Sequence, residues 1–570
     1  MRGKLRYLLL SVSLIASLLS ACSNGNENVS KSEGDNPTSM PAEPRATASS
    51  SLPERLQNIG FQAENWPIVT EKVSVSVFGG THPLLGAQED WENNKMLNRL
   101  EEKTNIDLEL SKVINLGTGW KEQMNLAFAS GELPDFFFKS MFTKLEEMNY
   151  GKQGLLIPLE DLIAEYAPHL SSLMEEYPEI RKSITTPDGH IYTFPELNVD
   201  PISRVTANLN INHVWLENVG MKVPTTLDEL YEVLVAFKTK DPNGNGKADE
   251  IPLSLSEMPN ILSLMRLFGY MYGDDGMFLD PDKNQILFVP STPEFKQYLE
   301  YFNRLYKEGL LDSESFTQKP DQITSKNGGE VTTVGAFLTN SPVLLAPGLS
   351  AKAKSDDLTI DENQRKSDYT FIVLTAPNGK KYAAGGSVVS TGRAAITKKA
   401  ENPEIIVRWL DYFYSKEGGE EMWAGLKDED YKIENDRIVF LKSDGSVATG
   451  AEAGDVRKYA TLQPGGRIPH LVPETIINLL DFDLKKLKEP LAPYAQPALP
   501  SFFFAPEDLK RISAMSADIG PYIEQFAAKA ITGQINLDAE WDQFQSTLKR
   551  MGSDDLLMQY QKAYEIFDSN

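Results

Sequence analysis

Oxygen-bearing side chains stand close together at Asp241, Asn243, Asn245, Asp249 and Glu250, and Gly244 and Gly246 among them permit a tight loop. Calcium and similar hard cations gather about six to eight oxygens in this way. The carboxylates and amides would supply side-chain oxygen, and Lys247 its backbone carbonyl with the ammonium turned away. The run opens like the D-x-[DN]-x-[DN]-G pattern of an EF-hand, but Pro252 holds the loop position where a bidentate glutamate belongs. A helix-loop-helix EF-hand is therefore not expected. The same residues would also make an Asn-Gly-rich turn closing the preceding helix.

A second chemistry is written at the amino terminus. Arg2, Lys4 and Arg6 precede an apolar and small-residue run from Tyr7 to Ala21, which is short for a membrane span but suits a signal-peptide core. The run ends in Leu19-Ser20-Ala21-Cys22, the pattern of a bacterial lipobox, whose thiol takes a diacylglyceryl group and whose freed amine takes a fatty acyl chain such as palmitate. Residues 1–21 are thus expected to be a lipoprotein signal peptide, and Cys22 the point of lipid anchoring on the extracytoplasmic face of a cell membrane. Cys22 is the chain's single cysteine, so no disulfide framework exists. Ser, Asn, Gly, Pro, Glu and Thr dominate residues 23–51, too polar to offset their ordering entropy, and residues 22–65 read as a flexible tether.

Other chemistries are not signposted. There is no H-E-x-x-H, G-x-S-x-G or P-loop pattern, and His82, His169, His190, His213 and His470 lie far apart without metal-ligand spacing. Among 81 acidic residues nothing singles out a catalytic carboxylate pair. Formal net charge is −25, and losing Arg2, Lys4 and Arg6 with the leader would carry it to −28, which argues against nucleic acid as a partner. Trp120 and Trp423, flanked by glycine and polar residues, are candidate stacking surfaces, whereas Trp215 and Trp409 sit in apolar-periodic stretches and are expected in the core. Phe78-Gly79-Gly80 and Gly385-Gly386 would let backbone approach a ligand, or would form ordinary turns.

The elements that must carry these residues alternate. Val73, Val75 and Val77 predict a strand, residues 94–104 a helix, 106–110 a strand, 120–129 a helix, and Phe136-Phe137-Phe138 a short buried strand. Thr226 and Glu229 predict a capping box ahead of Leu227, Leu230, Val233, Leu234 and Phe237 at helical spacing. Further amphipathic helices are predicted over 293–309, 402–415 and 554–567. The pattern is α/β, sheets covered by helices.

Several segments together resemble the extracellular solute-binding proteins of ABC importers, in the large lipoprotein branch that includes the alginate-binding periplasmic proteins. They are the runs Glu122 to Asp135, Gly154 to Asp161, Pro187 to Tyr192, Trp215 to Gly220, Thr226 to Leu230, Asp241 to Pro252, Tyr306 to Leu310, Asn402 to Glu404, Ile531 to Gly533, and Tyr560 to Tyr564, with Trp541, Met551 and Gly552. The resemblance implies a periplasmic-binding-protein-like type II fold, two lobes with mixed sheets flanked by helices and a hinge between them. It places the N-terminal lobe in residues 66–194 and 363–429 and the C-terminal lobe in 195–362 and 430–570. It implies a structural calcium on Asp241, Asn243, Asn245, Lys247, Asp249 and Glu250. It further implies a monomer that captures an oligosaccharide or related solute without turnover and delivers it to ABC permease subunits. Where an alginate binder has an arginine before the tryptophan, this chain reads Asn210 to Trp215 without one, which points to a neutral or weakly charged oligosaccharide. Candidate ligand residues are Asp135, Tyr192, Asn212, Phe337, Ser387 and Trp423. The alternatives are a lipid-anchored carbohydrate-active enzyme and a peptide-binding or sensor lipoprotein of the same fold.

Overall fold

A computed structural model describes residues 52–81, 91, 93–116, 119–327, 331–339, 368–435, 437–449, 451–462, 467–474 and 482–569. The leader, Cys22 and residues 23–51 of the expected tether lie outside the described residues; residues 52–65, expected in the tether, instead pack on the first lobe, with Leu56 fully buried and Arg55 paired with Glu404 at 2.5 Å. Two sheets organise the rest. The first contains β1 (Val73–Thr81), β2 (Ile106–Asn115), β3 (Phe136–Phe138) and β4 (Phe194–Leu197). The second contains β5 (Asn208–Asn212), β6 (Ile251–Leu253), β7 (Val334–Thr339) and β8 (Tyr369–Phe371). The chain then returns to the first sheet with β9 (Val389–Ile396), giving the orders β2-β1-β3-β9-β4 and β8-β5-β7-β6.

In the first sheet β1 runs parallel to β2 and β3, while β9 is antiparallel to β3 and β4. Val75 and Val77 of β1 are buried as their alternation predicts, but β1 continues through Gly79 and Gly80 instead of turning there. The glycines serve packing: a Cβ on Gly79 would lie 2.3 Å from the Trp91 ring, and one on Gly80 would lie 2.2 Å from the Lys139 carbonyl oxygen. All three phenylalanines of β3 are buried. Phe137 meets Phe78, Phe128 and Phe142 at centroid distances of 5.2, 5.3 and 5.3 Å. Trp120 belongs to this core and not to a cleft, being 3 % exposed and stacked 5.0 Å from Phe78. Its glycine-flanked position reflects the helix start at Gly119.

The second sheet is covered by the helices Leu227–Thr239 and Pro293–Lys307 and by the C-terminal helices Pro506–Ile531, Leu537–Met551 and Ser553–Ser569. Leu227, Leu230, Val233, Leu234 and Phe237 are buried on one face, as their spacing predicts. The amino end differs in one detail from a capping box. Thr226 accepts from the Glu229 amide at 3.2 Å, but the Glu229 carboxylate returns to the Thr225 amide and hydroxyl, both at 2.7 Å. Among the described residues no helix is long and apolar enough to cross a membrane.

The strands fix the lobes more finely than the expected boundaries did. Tyr369–Phe371, expected in the first lobe, pairs antiparallel with β5 in the second sheet. Residues 430–462, expected in the second lobe, are bound to the first. Arg99, on the helix Lys95–Thr104, reaches Glu421 at 2.8 Å, Asp430 at 3.1 Å and the Ala460 carbonyl at 3.3 Å. Lys95 adds a 3.0 Å contact to Asp430, which is 0 % exposed. A three-residue strand carries too little pattern to say which sheet it joins, and these ion pairs link residues more than 300 positions apart.

Candidate functional site

The chain leaves the first sheet at the carboxyl end of β4 and enters the second at Asn208, and it returns from the carboxyl end of β8 to the start of β9. Both crossings therefore run along one seam, where the carboxyl ends of β1, β3 and β4 face the second sheet. Open α/β sheets bind ligands outside their strand carboxyl ends. The connections are laced together: Asn198 N–H donates to Val388 O at 2.9 Å, Gly386 N–H to Arg204 O at 2.8 Å, and Thr206 N–H to Ala384 O at 3.0 Å. Asn208 clasps Ala384 from both sides, its amide donating to Ala384 O at 3.1 Å and its oxygen accepting from Ala384 N–H at 2.8 Å. A third connection pairs Ala495–Gln496 with Ala383–Ala384. Three adjacent strands of this kind make a hinge.

At this seam the first lobe gathers a buried polar cluster. Glu147, on the helix Lys144–Lys152, is 0 % exposed and accepts from Thr193 at 2.8 Å, while its Oε1 has no partner. Burial pushes its carboxyl up to about 7, opposed by hydrogen bonds from Thr193 and Thr391 and by the charges of Lys144 and Arg393. Arg393 sits 3.3 Å from Glu196, and burial lowers its guanidinium from the ordinary value. His470 is buried, and that burial lowers its imidazole from the ordinary value. Its Nδ1 lies 2.9 Å from the Ile468 carbonyl, an oxygen that can only accept, so Nε2 is free to accept the Trp423 indole N–H at 2.9 Å. The backbone ties this pair to β4 through Leu197 N–H donating to His470 O at 2.7 Å.

Two of the six candidate ligand residues therefore lie along the seam. Trp423 is half-buried with its indole fixed by His470, and Ser387 is half-buried in the returning connection, its hydroxyl accepting from Val389 N–H at 3.2 Å. The other four are engaged elsewhere. Asp135 lies at the amino end of β3 and ties it to β1, accepting from the Ser76 amide and hydroxyl at 2.7 Å each. Tyr192 is 3 % exposed, packed face-on over Gly151, with its hydroxyl donating to Asp188 at 3.1 Å. Asn212 caps the helix His213–Val219, accepting from Trp215 N–H at 3.0 Å at the end of β5 away from the seam. Phe337 is 1 % exposed and meets Tyr369 edge-on at 4.8 Å. Lys144, Glu147, Arg393, Glu196 and His470 carry no sequence signal of their own.

The oxygen-rich loop is closed by its own carboxylates and amides. Asp241 accepts from Asn245 N–H at 3.1 Å and Gly246 N–H at 3.0 Å, and Asp249 accepts from the amides of Asn243 and Asn245 at 3.1 and 3.0 Å. Gly244 and Gly246 adopt φ of +67° and +72°, the left-handed region where glycine is favoured. Glu250 Oε1 is buried without a partner, and burial together with the nearby Asp249 and Asp241 charges raises its carboxyl from the ordinary value. Among the described residues no three acidic, histidine or cysteine side chains converge on one point. The residues nevertheless fit a hard cation in one respect: an orphaned buried carboxylate oxygen among mutually repelling acids is what it would satisfy.

The model of the family described as bacterial extracellular solute-binding protein matches residues 88–420. The fructooligosaccharide ABC transporter substrate-binding protein FusA of Streptococcus pneumoniae is 28% identical over 524 residues, covering 88% of this chain and 91% of that protein. The structure of an EF-hand mutant of FusA in complex with fructo-nystose superposes with a TM-score of 0.64 at 26% identity, covering 87% of this chain and 100% of that one. An HMO-binding solute-binding protein of Bifidobacterium longum infantis has the same fold, with a TM-score of 0.71 at 23% identity over 87% of this chain and 99% of its own. The two-sheet, hinged architecture and these matches agree: the chain belongs to the bacterial extracellular solute-binding protein family.

Proposed function

We propose that this protein captures an oligosaccharide in the cleft between its sheets and delivers it to the permease of an ABC importer, held near it by lipid on Cys22. The observation that carries the reading is similarity to a fructooligosaccharide-binding relative along nearly the whole of both chains. Trp423 would provide a stacking face, its ring orientation fixed by His470. Hydroxyls of the solute would hydrogen-bond to groups along the hinge strands, and lobe closure would exclude water. Calorimetry with a panel of neutral oligosaccharides, fructo-oligosaccharides first, should show saturable binding with no product. Trp423→Ala should weaken that binding at least tenfold, about 1.4 kcal/mol or more. Release of new reducing ends by the pure protein would instead favour a carbohydrate-active enzyme.

The loop Asp241–Glu250 would hold a structural calcium that stiffens the second lobe. Support comes from the orphaned Glu250 oxygen and from the relative FusA, which has an EF-hand. A site formed only in the folded state stabilises by about 3 kcal/mol at a hundredfold excess of metal over Kd. Chelation should therefore lower the melting temperature by a few degrees and calcium should restore it. Unchanged melting, with no metal found by elemental analysis, would remove the site.

A further inference from the structure

Lys144 stands in the first turn of the helix Lys144–Lys152, on the first lobe, yet its partners belong to the second. Its ammonium donates to the Phe502 carbonyl at 2.6 Å and lies 4.8 Å from the centre of the Phe503 ring. Phe502 packs with Tyr560 and Phe567 of the C-terminal helix, well inside the second lobe's core. Among the described residues Lys182 also reaches across, donating to the Asp568 carbonyl at 2.5 Å, but the Asp568 carboxylate 3.7 Å away balances its charge, a balance that Lys144 lacks at so short a distance.

A lysine between lobes is fully hydrated when they part and loses water when they meet. One carbonyl and one aromatic face are few substitutes for an ammonium's three donors. We propose that Lys144 is a closure-sensing positioning residue, a charge that must shed its water for the lobes to meet and so holds the empty cleft open at neutral pH. The charged groups facing it are Glu147 from its own helix and Asp274 from the second lobe, with Arg393 of β9 behind the first and Asp275 behind the second. Both acids favour the ammonium, but burial outweighs them and brings Lys144 down to about 8.

The sign of the pH effect follows. Above about pH 8 the closed form gives up a proton that the open form keeps toward the ordinary lysine value of about 10.4. Closure therefore becomes easier as pH rises from about 8 to 10, and a solute that binds the closed form gains affinity by at most about tenfold per unit. At neutral pH the solute must itself supply the energy of closure, which keeps empty protein from mimicking loaded protein.

The test uses the chain with Cys22→Ser, labelled at Leu126→Cys and Met558→Cys, two exposed positions on opposite lobes. Energy transfer without solute should report a closed fraction that rises severalfold between pH 7 and pH 9.5. Lys144→Met should raise the closed fraction at pH 7 and flatten the profile; Lys144→Arg, charged throughout, should flatten it in the open state. Wild-type behaviour in both variants would overturn the proposal. The proposal takes its purpose from the solute-capture reading, but this readout needs no solute. A protein that binds no oligosaccharide yet closes with pH would sink that reading alone.

Discussion

Truncating Phe137 to alanine is expected to lower the stability of the first lobe by about 3 to 5 kcal/mol. The residue is fully buried in the short strand β3, which lies between β1 and β9 in the five-stranded sheet. Its ring is walled by Phe78, Trp120, Phe128 and Phe142, which come from β1, the helix Trp120–Ser130 and the loop after β3. Side chains anchored on separate elements cannot collapse together into the void, so the cavity penalty adds to the lost transfer energy. Urea unfolding followed by tryptophan fluorescence should show the loss, whereas Leu126→Ala on the exposed face of the same helix should stay within about 0.5 kcal/mol of wild type. A Phe137→Ala midpoint indistinguishable from that control would mean that this aromatic cluster does not hold the lobe together.

Phe137 was legible because three consecutive phenylalanines between polar residues have nowhere to go but a buried strand, and the helix Leu227–Thr239 was legible because its period and its threonine cap agree. Both signals are local. Asp135 and Asn212 were expected among the ligand residues, but polar residues at such positions serve equally well to pin strand ends and cap helices, which is what they do here. Trp120 misled for a related reason: a glycine beside an aromatic marks a helix start as readily as a cleft. The seam itself was illegible. Lys144 and Glu147 stand in a stretch with no motif, and nothing nearby in sequence says that Thr193 will meet Glu147 from 46 residues on or Phe502 meet Lys144 from 358 residues on. The lobe assignment of Tyr369–Phe371 failed likewise, because strand pairing across a crossover is a property of the whole chain.

Replacing Glu147 with glutamine is expected to stabilise the fold at pH 8 by about 2 to 3 kcal/mol and to leave it nearly unchanged at pH 4.5. The folded protein holds the Glu147 proton up to about pH 7, while an unfolded chain releases it near the ordinary value of about 4.3. A carboxyl raised in this way contributes stability that is complete below its unfolded pKa and is lost as pH rises through its folded one. Above pH 7 the folded state must keep a carboxylate in a site that offers the Thr193 and Thr391 hydroxyls and the flanking charges of Lys144 and Arg393, but leaves Oε1 without a partner. Glutamine imitates the protonated acid in shape and charge, and its amide takes the place of the same partnerless oxygen, so only the charged state's penalty is removed. Urea midpoints at pH 4.5, 6 and 8 should converge at the acid end and separate progressively toward the alkaline end. A variant less stable than wild type at pH 8 would show instead that Lys144 and Arg393 hold a carboxylate at Glu147 more strongly than burial opposes it, and the buried cluster at the hinge would then be an ion network throughout the physiological range.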